Sequence, residues 1–203
     1  MKYTIRTAVQ YTEKIAQSTF IGNLSSIQNQ ETARYLIHEI NQLHPQATHH
    51  CPAYILGKKG ETFFCSDNQE PPGTAGKPIL KMLVKHELSN IILIVTRYFG
   101  GVKLGIRGLI NAYGTIAEKT IRLGEKIPLV EVVMYDCTLK YDFYHSFLSK
   151  VKQLEGLVLK SEYSNFIQVT VQVNEFNQRE MLKFFQEMSN CGALEYRLLP
   201  NNA

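Results

Sequence analysis

The stretch IILIVTRYFGGVKLGIRG at residues 91–108 constrains the fold more than any other part of the chain. Its first six residues are apolar or β-branched, which is typical of a strand buried on both faces of a sheet. Arg97 and two aromatic residues follow, and then glycines and Lys103 lead into a helical pattern. The stretch therefore predicts a central strand that opens through a glycine-dense loop into a helix.

That loop has two interpretations. Glycine tolerates positive φ and lets backbone N–H groups lie close together, and a helix N-terminus carries partial positive charge, so the loop can bind an anion. Alternatively, the glycines only permit a tight crossover with close packing. Local chemistry alone leaves both interpretations open, because glycine loops before helices serve both purposes.

The composition is that of a globular protein without a membrane span. The chain has 203 residues, of which 44% are hydrophobic, enough for one large domain or two small ones. No apolar run approaches the roughly 20 residues of a transmembrane helix, and residues 1–10 alternate where a signal peptide needs a continuous apolar segment. We therefore expect a cytoplasmic protein with no membrane partner.

The cysteines and the charged residues indicate which classes of ligand to expect. Four cysteines lie far apart without a CxxC pair, which favours buried reduced thiols, and neither a metal nor a cofactor is expected. Residues 1–127 hold 15 Lys plus Arg against 9 Asp plus Glu, a net charge of +6, whereas residues 128–203 hold 7 against 9, a net charge of −2. The basic first part is compatible with an anionic partner such as nucleic acid, although solvation alone explains a surplus of this size.

Residues 1–127 predict a first domain with mixed elements. The expected order is a hairpin over residues 3–11 and 18–24, a helix from Asn29 to residue 43, strands over residues 47–56 and 61–66, a loop over residues 67–76, a helix from Pro78, the central strand, and a helix over residues 109–124. Pro128 interrupts the pattern, so residues 125–129 are expected to be a linker.

Residues 128–203 predict a second domain with a regular plan. Strands and helices alternate there in the order βαββαβ, which is the ferredoxin-like arrangement with both helices on one face of an antiparallel sheet. The fold class expected for the whole chain is therefore α+β in two domains. The acidic second domain is also a candidate surface for a protein partner.

Several polar clusters are candidates for chemistry. The loop GTAGKP at residues 73–78 is too short between its glycines for a nucleotide-hydrolysing P-loop, but Lys77 and nearby N–H groups can still contact an anion. His49 and Cys51 share a strand face without a second ligand cluster, which argues against zinc. Asp67 and Glu70 share a loop, where a spacing of three fixes no geometry for paired carboxylates.

A cation and two rings stand together at the end of the central strand. Arg97, Tyr98 and Phe99 are the residue types that hold a phosphate and stack a base. Neighbouring residues of a strand point to opposite faces, so we expect one of the two rings to pack in the interior.

Two loops together resemble one known family. SDNQEPPGTAGKPIL at residues 66–80, followed by VTRYFGGVKLG and GLINAYG, is similar to the signature of the IMPACT family, to which the bacterial YigZ proteins belong. AQSTFIG and ATHHCPAY resemble two further family motifs. The resemblance implies a first domain like the second domain of a small-subunit ribosomal protein or domain IV of elongation factor G. It also implies a role in translation control or in binding ribosome-associated nucleic acid.

The chain departs from the family pattern at the start of the last helix of the first domain. Ile106 and Arg107 stand where Thr and Gly are usual, so a glycine is lost and a cation is gained. If the loop binds phosphate, the Arg107 side chain compensates for lost access to the backbone.

The main hypothesis from the sequence is a non-enzymatic regulator related to translation that binds RNA or a ribosomal surface. The candidate anion-binding residues are Lys58, Lys59, Gly73, Thr74, Gly76, Lys77, Arg97, Tyr98, Phe99, Gly100, Gly101, Lys103, Gly105 and Arg107. The rival hypothesis is an enzyme that acts on a small phosphorylated or peptide-like substrate. In that case Asp67, Glu70 and His49 are the candidate catalytic residues.

Overall fold

The computed structural model describes residues 2–130 and 132–200 of the protein. Two compact units follow one another along the chain, Met1–Leu129 and Val130–Ala203, and each has its own hydrophobic core. Both units combine helices with strands, which confirms the α+β class expected from the sequence. The boundary expected after residue 127 lies two residues before the division between the units.

The first unit is built on a mixed set of strands and helices. Its elements are β1 (Tyr3–Ile5), β2 (Val9–Ile15), β3 (Ser18–Ser26), α1 (Gln30–Leu43), β4 (His49–Leu56), β5 (Thr62–Cys65), α2 (Gly76–Lys85), β6 (Ile91–Tyr98), α3 (Gly105–Leu123) and β7 (Lys126–Pro128). Five of the strands form one sheet in the order β2-β3-β6-β4-β5. The central position of β6, which is buried on both faces, confirms the prediction made from its apolar run.

Helices cover both faces of this sheet. The apolar residues of α2 and α3 pack with Phe20, Ala53 and Val95 on one face, whereas α1 packs with Ile92 and Ile94 on the other. Strand β5 runs parallel to β6, because each is antiparallel to β4, so α2 and α3 both begin at the same end of the sheet. Their N-termini and the two loops that precede them therefore lie at one end of the unit.

Local sequence accounts for α1, and tertiary contacts account for β7. Asn29 caps α1 by accepting a hydrogen bond of 2.8 Å from the backbone N–H of Thr32.

The segment expected to be a linker, residues 125–129, instead contains strand β7, which pairs antiparallel with β1. A partner more than 120 residues away supplies this pairing, so no local pattern indicates it. The expected opening strand over residues 3–11 is likewise divided into β1 and β2, and the hairpin turns after Ile15.

The second unit has the predicted βαββαβ order. Its elements are β8 (Val132–Leu139), α4 (Tyr141–Gln153), β9 (Leu157–Tyr163), β10 (Ile167–Asn174), α5 (Glu175–Asn190) and β11 (Leu194–Leu199). The strands form an antiparallel sheet in the order β11-β8-β10-β9. Alternate residues such as Val169 and Val171 pack against Phe147 of α4 and Phe185 of α5, so both helices cover one face.

Candidate functional site

The loop that joins β5 to α2, residues 66–75, is organised by one carboxylate. Asp67 accepts hydrogen bonds from the backbone N–H groups of Gly73 at 2.7 Å and of Ala75 and Gly76 at 2.9 Å. Burial raises the pKa of Asp67, but these three hydrogen bonds and nearby Lys77 outweigh it, so the pKa lies below its ordinary value. We call residues 66–75 the acidic loop.

The acidic loop therefore already contains an anion of its own. The N–H groups of Gly73 and Gly76, which the sequence suggested for an external anion, are both bonded to Asp67. Thr74 is buried, and its hydroxyl donates to the carbonyl of Pro71 at 2.7 Å. Of the candidate residues in GTAGKP, only Lys77 presents an exposed functional group.

Arg97 does not face solvent either. Its Nη1 lies 2.7 Å from Oε1 of Glu70, and its Nε and Nη2 donate to the hydroxyl of Ser18. The hydroxyl of Tyr113 donates to the same Glu70 oxygen at 2.8 Å. Only 5% of the Arg97 side chain and 3% of the Glu70 side chain is exposed. The candidate role of Arg97 in phosphate binding is therefore corrected: its charge is neutralised in the interior by a residue that the fold brings from the acidic loop.

Two of the three candidate catalytic residues, His49 and Glu70, come together. Nε2 of His49 lies 3.8 Å from Glu70, and its Nδ1 lies 2.9 Å from the carbonyl oxygen of Asn68. However, the Asp67 carboxylate accepts hydrogen bonds from backbone N–H groups, and the Glu70 carboxylate accepts one from Arg97. Both carboxylates therefore already have partners within the fold. Burial raises the pKa of the neighbouring Cys51 thiol to about 12, which makes it a poor nucleophile.

The described residues also contain no cluster of three or more His, Cys, Asp or Glu side chains placed to hold a metal ion. Over the same residues, no helix is both long and apolar enough to cross a bilayer.

The two rings after Arg97 have different surroundings, as expected from the alternation along a strand. The hydroxyl of Tyr98 lies 2.9 Å from Nδ1 of His44, and its ring is partly buried against that histidine. Phe99 is 45% exposed, and the guanidinium carbon of Arg97 lies 5.3 Å from its ring centre. Phe99 is thus the ring of the pair that can reach a ligand.

Residues 99–104, which we call the glycine loop, lead from β6 into α3. A Cβ atom at Gly100 would lie 1.8 Å from the backbone oxygen of Gln17, so this glycine is required by close packing. Gly105 has a φ of 68° at the start of α3, a conformation that favours glycine. In contrast to α2, α3 begins without a side-chain cap, and both Lys103 and Arg107 are exposed there. The uncapped N–H groups and the two cations make this helix start the more open of the two for an anion.

A groove of about 870 Å³ runs between α2 and α3. Lys77, Lys81 and Lys85 line it from α2 at a spacing of four, and Lys119 and Arg122 line it from α3. A spacing of four places side chains on one helix face, so the lysines of α2 form a row. We call this surface the α2–α3 groove. Of the five cations that line it, only Lys77 is among the residues predicted from the sequence, although the lysines of α2 recur there at helical spacing.

One carboxylate lies among these cations. Glu118 receives hydrogen bonds from Nζ of Lys85 at 3.2 Å and Nε of Arg122 at 2.9 Å, and its oxygen lies 2.7 Å from Nε2 of His86. The hydrogen bond with His86, together with those from Arg122 and Lys85, outweighs burial and lowers the pKa of Glu118 to about 2. Lys126 donates to the other ring nitrogen of His86 at 3.1 Å. Glu118 is therefore ionised and compensated at neutral pH.

The turn that carries Lys58 and Lys59 lies away from these features. It connects β4 to β5 at the end of the sheet near Ile91, whereas the two loops lie near Arg97. Six strand residues separate those ends, or about 20 Å at the usual rise. The two lysines and the loops therefore do not form one site, which corrects the grouping suggested by the sequence.

Comparison with known proteins identifies the family. A model described as the Impact N-terminal domain matches residues 16–121, just over half of the chain. The chain belongs to the IMPACT family. The IMPACT family member YvyE of Bacillus subtilis is 31% identical over 189 residues, which cover 93% of this chain and 87% of that protein. The IMPACT family member YigZ of Escherichia coli is 33% identical over 168 residues, or 80% of this chain and 81% of its own.

A solved structure has a similar fold over almost the full length of the chain. The crystal structure of a hypothetical protein covers 99% of this chain and 98% of its own, with a TM-score of 0.70 and 26% sequence identity. The segment matched by the family model contains the acidic loop, the glycine loop, all of α2 and most of α3. The IMPACT domain thus contains almost all of the surface described above.

Proposed function

We propose that this IMPACT family protein takes part in translation by binding RNA, free or on a ribosomal surface, through the α2–α3 groove and the glycine loop. Membership of the family supports a role in translation, as the resemblance implied. The groove supports RNA as the ligand, because a row of cations on one surface is what a polyanionic backbone requires. The sequence-based site is therefore revised to Lys77, Lys81, Lys85, Phe99, Lys103 and Arg107.

The observation that carries this proposal is the charge balance of the groove. Five cationic side chains line it, of which Lys85 and Arg122 pair with Glu118 and Lys119 pairs with Glu13. Lys77, Lys81, Lys103 and Arg107 form no ion pair with any described residue. Their charges are available to phosphates without breaking an existing contact.

An RNA titration at several salt concentrations tests the proposal. Binding to phosphates releases counterions, so the affinity of the wild-type protein should fall steeply as salt rises. Replacing Lys77 and Lys81 together by alanine removes two contacts and should lower the salt slope by about 1.4, at ~0.7 per phosphate of a single strand. Fluorescence anisotropy of a labelled RNA measures both quantities.

The turn at the other end of the sheet provides the matched control. Replacing Lys58 and Lys59 by alanine removes the same charge from the same unit, and affinity should change little. Equal losses for the two double variants would show that net charge alone drives binding and would refute the assignment to the groove. Absence of binding by the wild-type protein at low salt would refute the proposed function itself.

The geometry supports the enzyme hypothesis less well than it supports RNA binding. His49 and Glu70 are neighbours, but the carboxylates of both Glu70 and Asp67 are held by hydrogen bonds within the fold. We therefore do not propose an enzymatic activity for these residues. A protein partner for the second unit stays a prediction.

A further inference from the structure

We propose that the RNA bound at this site is single-stranded, and that one of its unpaired bases stacks on the ring of Phe99. This inference rests on the proposed function and specifies the class of ligand. It starts from the one aromatic ring of the glycine loop, which is 45% exposed. An exposed phenylalanine beside cations is a common platform for a base in proteins that bind single strands.

The ring is held in place before any ligand arrives. The backbone N–H of Phe99 donates to the hydroxyl of Thr48 at 3.1 Å, and the N–H of Gly100 donates to Ser18 at 3.4 Å. These contacts anchor the loop to β3 and to the residue that directly precedes β4. The backbone on both sides of the ring is thus fixed, so little conformational entropy is lost when a base stacks on it.

The buried ion pair of Arg97 and Glu70 supports one face of the Phe99 ring. Arg97 lies over the Phe99 ring with its guanidinium carbon 5.3 Å from the ring centre, and Glu70 and Ser18 hold that guanidinium in position. No other aromatic ring stacks on Phe99 among the described residues. The guanidinium takes up one side of the ring, and the exposed part is available to a base. Arg97 therefore acts as a positioning residue and does not contact phosphate.

The cations that follow the ring suit the backbone of the same strand. Lys103 comes four residues after Phe99, so their Cα atoms lie within about 14 Å of each other. Arg107 follows in the first turn of α3, whose N-terminal N–H groups have no side-chain cap. A strand whose base covers Phe99 can therefore place neighbouring phosphates against Lys103, Arg107 and the helix start.

The geometry of the groove favours one strand over a duplex. Lys85 of α2 and Glu118 of α3 lie 3.2 Å apart, so the two helices are direct neighbours. Packed helices have axes about 8–10 Å apart, and the groove between them accepts a single backbone more readily than an A-form duplex. In a duplex, moreover, the faces of the bases are covered by their neighbours, whereas an unpaired base can stack on an aromatic side chain.

Three oligomers of equal length test the inference by fluorescence anisotropy: a single-stranded RNA, the corresponding duplex, and a single strand of abasic units. The wild-type protein should bind the single strand about tenfold or more tightly than the duplex or the abasic strand. Phe99→Ala should weaken binding of the single strand about 5- to 100-fold. The same variant should leave the salt slope and the affinity for the abasic strand unchanged, because it removes no charge.

Two further variants separate stacking from other causes. Phe99→Tyr keeps an aromatic face and should keep most of the affinity, whereas Phe99→Leu keeps apolar volume and should behave like Phe99→Ala. Phe166→Ala, at a residue of the second unit that is 49% exposed, is the matched control and should not change binding. A circular dichroism spectrum and an unfolding midpoint for each variant show that the fold is retained.

The outcomes distinguish this inference from the proposal on which it rests. Equal affinity for duplex and single strand, or full affinity of Phe99→Leu, would overturn the stacking inference and leave RNA binding in place. Failure of the wild-type protein to bind any of the three oligomers would overturn both.

Discussion

The starts of α2 and α3 differ in how their backbone N–H groups are satisfied. Asp67 satisfies three backbone N–H groups at the start of α2, whereas α3 follows Leu104, which has no side chain that can accept a hydrogen bond. An internal carboxylate excludes an external anion from the first helix start, both by occupying the N–H groups and by repulsion. This difference directs an anionic ligand to the glycine loop and away from the acidic loop.

Asp67→Asn tests the internal cap. The folded-state pKa of Asp67 is depressed, so the charged cap contributes stability above the unfolded pKa of about 3.9 and loses it as pH falls through the folded value. At pH 7 the variant should be less stable by about 1 kcal/mol, a typical cost for a lost cap. Urea unfolding at several pH values should show this difference shrinking below pH ~4. A difference that is independent of pH would contradict the assigned role of the charge.

Arg97→Ala tests the buried ion pair. The change leaves the carboxylate of Glu70, which is 3% exposed, without its cation, and removing one partner of a buried pair typically costs about 3–5 kcal/mol. Urea unfolding measures this loss. The double variant Glu70→Gln with Arg97→Met should recover part of it, because no uncompensated charge remains in the interior. If Arg97→Ala were as stable as the wild-type protein, the pair would not be buried as described.

For single residues, the sequence indicated the surroundings of a side chain better than its contact partners. The alternation after the central strand correctly indicated different surroundings for Tyr98 and Phe99, but Tyr98 is only partly buried. It did not show that Arg97 is neutralised, because Glu70 lies 27 residues earlier and reaches it only in the folded sheet. The same holds for Asp67, whose partners belong to its own loop but require the turn at Gly73 to be formed.

The helices α2 and α3 together form the surface that neither forms alone. The periodicity of their apolar residues predicted both helices, and the apolar residues do pack on the sheet. The groove depends on their lying side by side, which follows from the parallel arrangement of β5 and β6 and not from either helix pattern. Strand β7 shows the same limit, since its pairing with β1 is a long-range contact.

Glu118→Gln tests the charge balance of this pair of helices. The substitution removes the acidic residue from the lining of the groove and releases Lys85 and Arg122 from their ion pairs. RNA affinity at low salt should rise about three- to tenfold, and the salt slope should increase by ~0.7 if one more phosphate is contacted. Glu125→Gln changes the same charge at an exposed pair with Arg6 and should leave affinity unchanged. Weaker binding by Glu118→Gln would show that the carboxylate is needed to position the cations.

The two units of the molecule differ in net charge, and each has its own hydrophobic core. Residues 1–127 carry +6 and residues 128–203 carry −2, and the proposed RNA site lies entirely within the basic unit. Each unit buries its own apolar cluster, one formed by residues such as Tyr113 and Ile116 and the other by Phe147 and Phe185. The division was predictable from the sequence because the βαββαβ pattern begins where the basic surplus ends.

We therefore expect the first unit to fold and bind RNA without the second. A fragment of residues 1–129 retains β7, and the N–H of Leu129 still donates to the carbonyl of Lys2 at 2.9 Å. Its RNA affinity and salt slope should match those of the full chain. A fragment of residues 1–124 lacks β7 and should be less stable by at least about 1–3 kcal/mol, because the Leu129–Lys2 and Arg6–Glu125 backbone hydrogen bonds alone are worth ~0.5–1.5 kcal/mol each. Urea unfolding and anisotropy measure both fragments, and loss of RNA binding by the folded 1–129 fragment would show that the second unit contributes to the site.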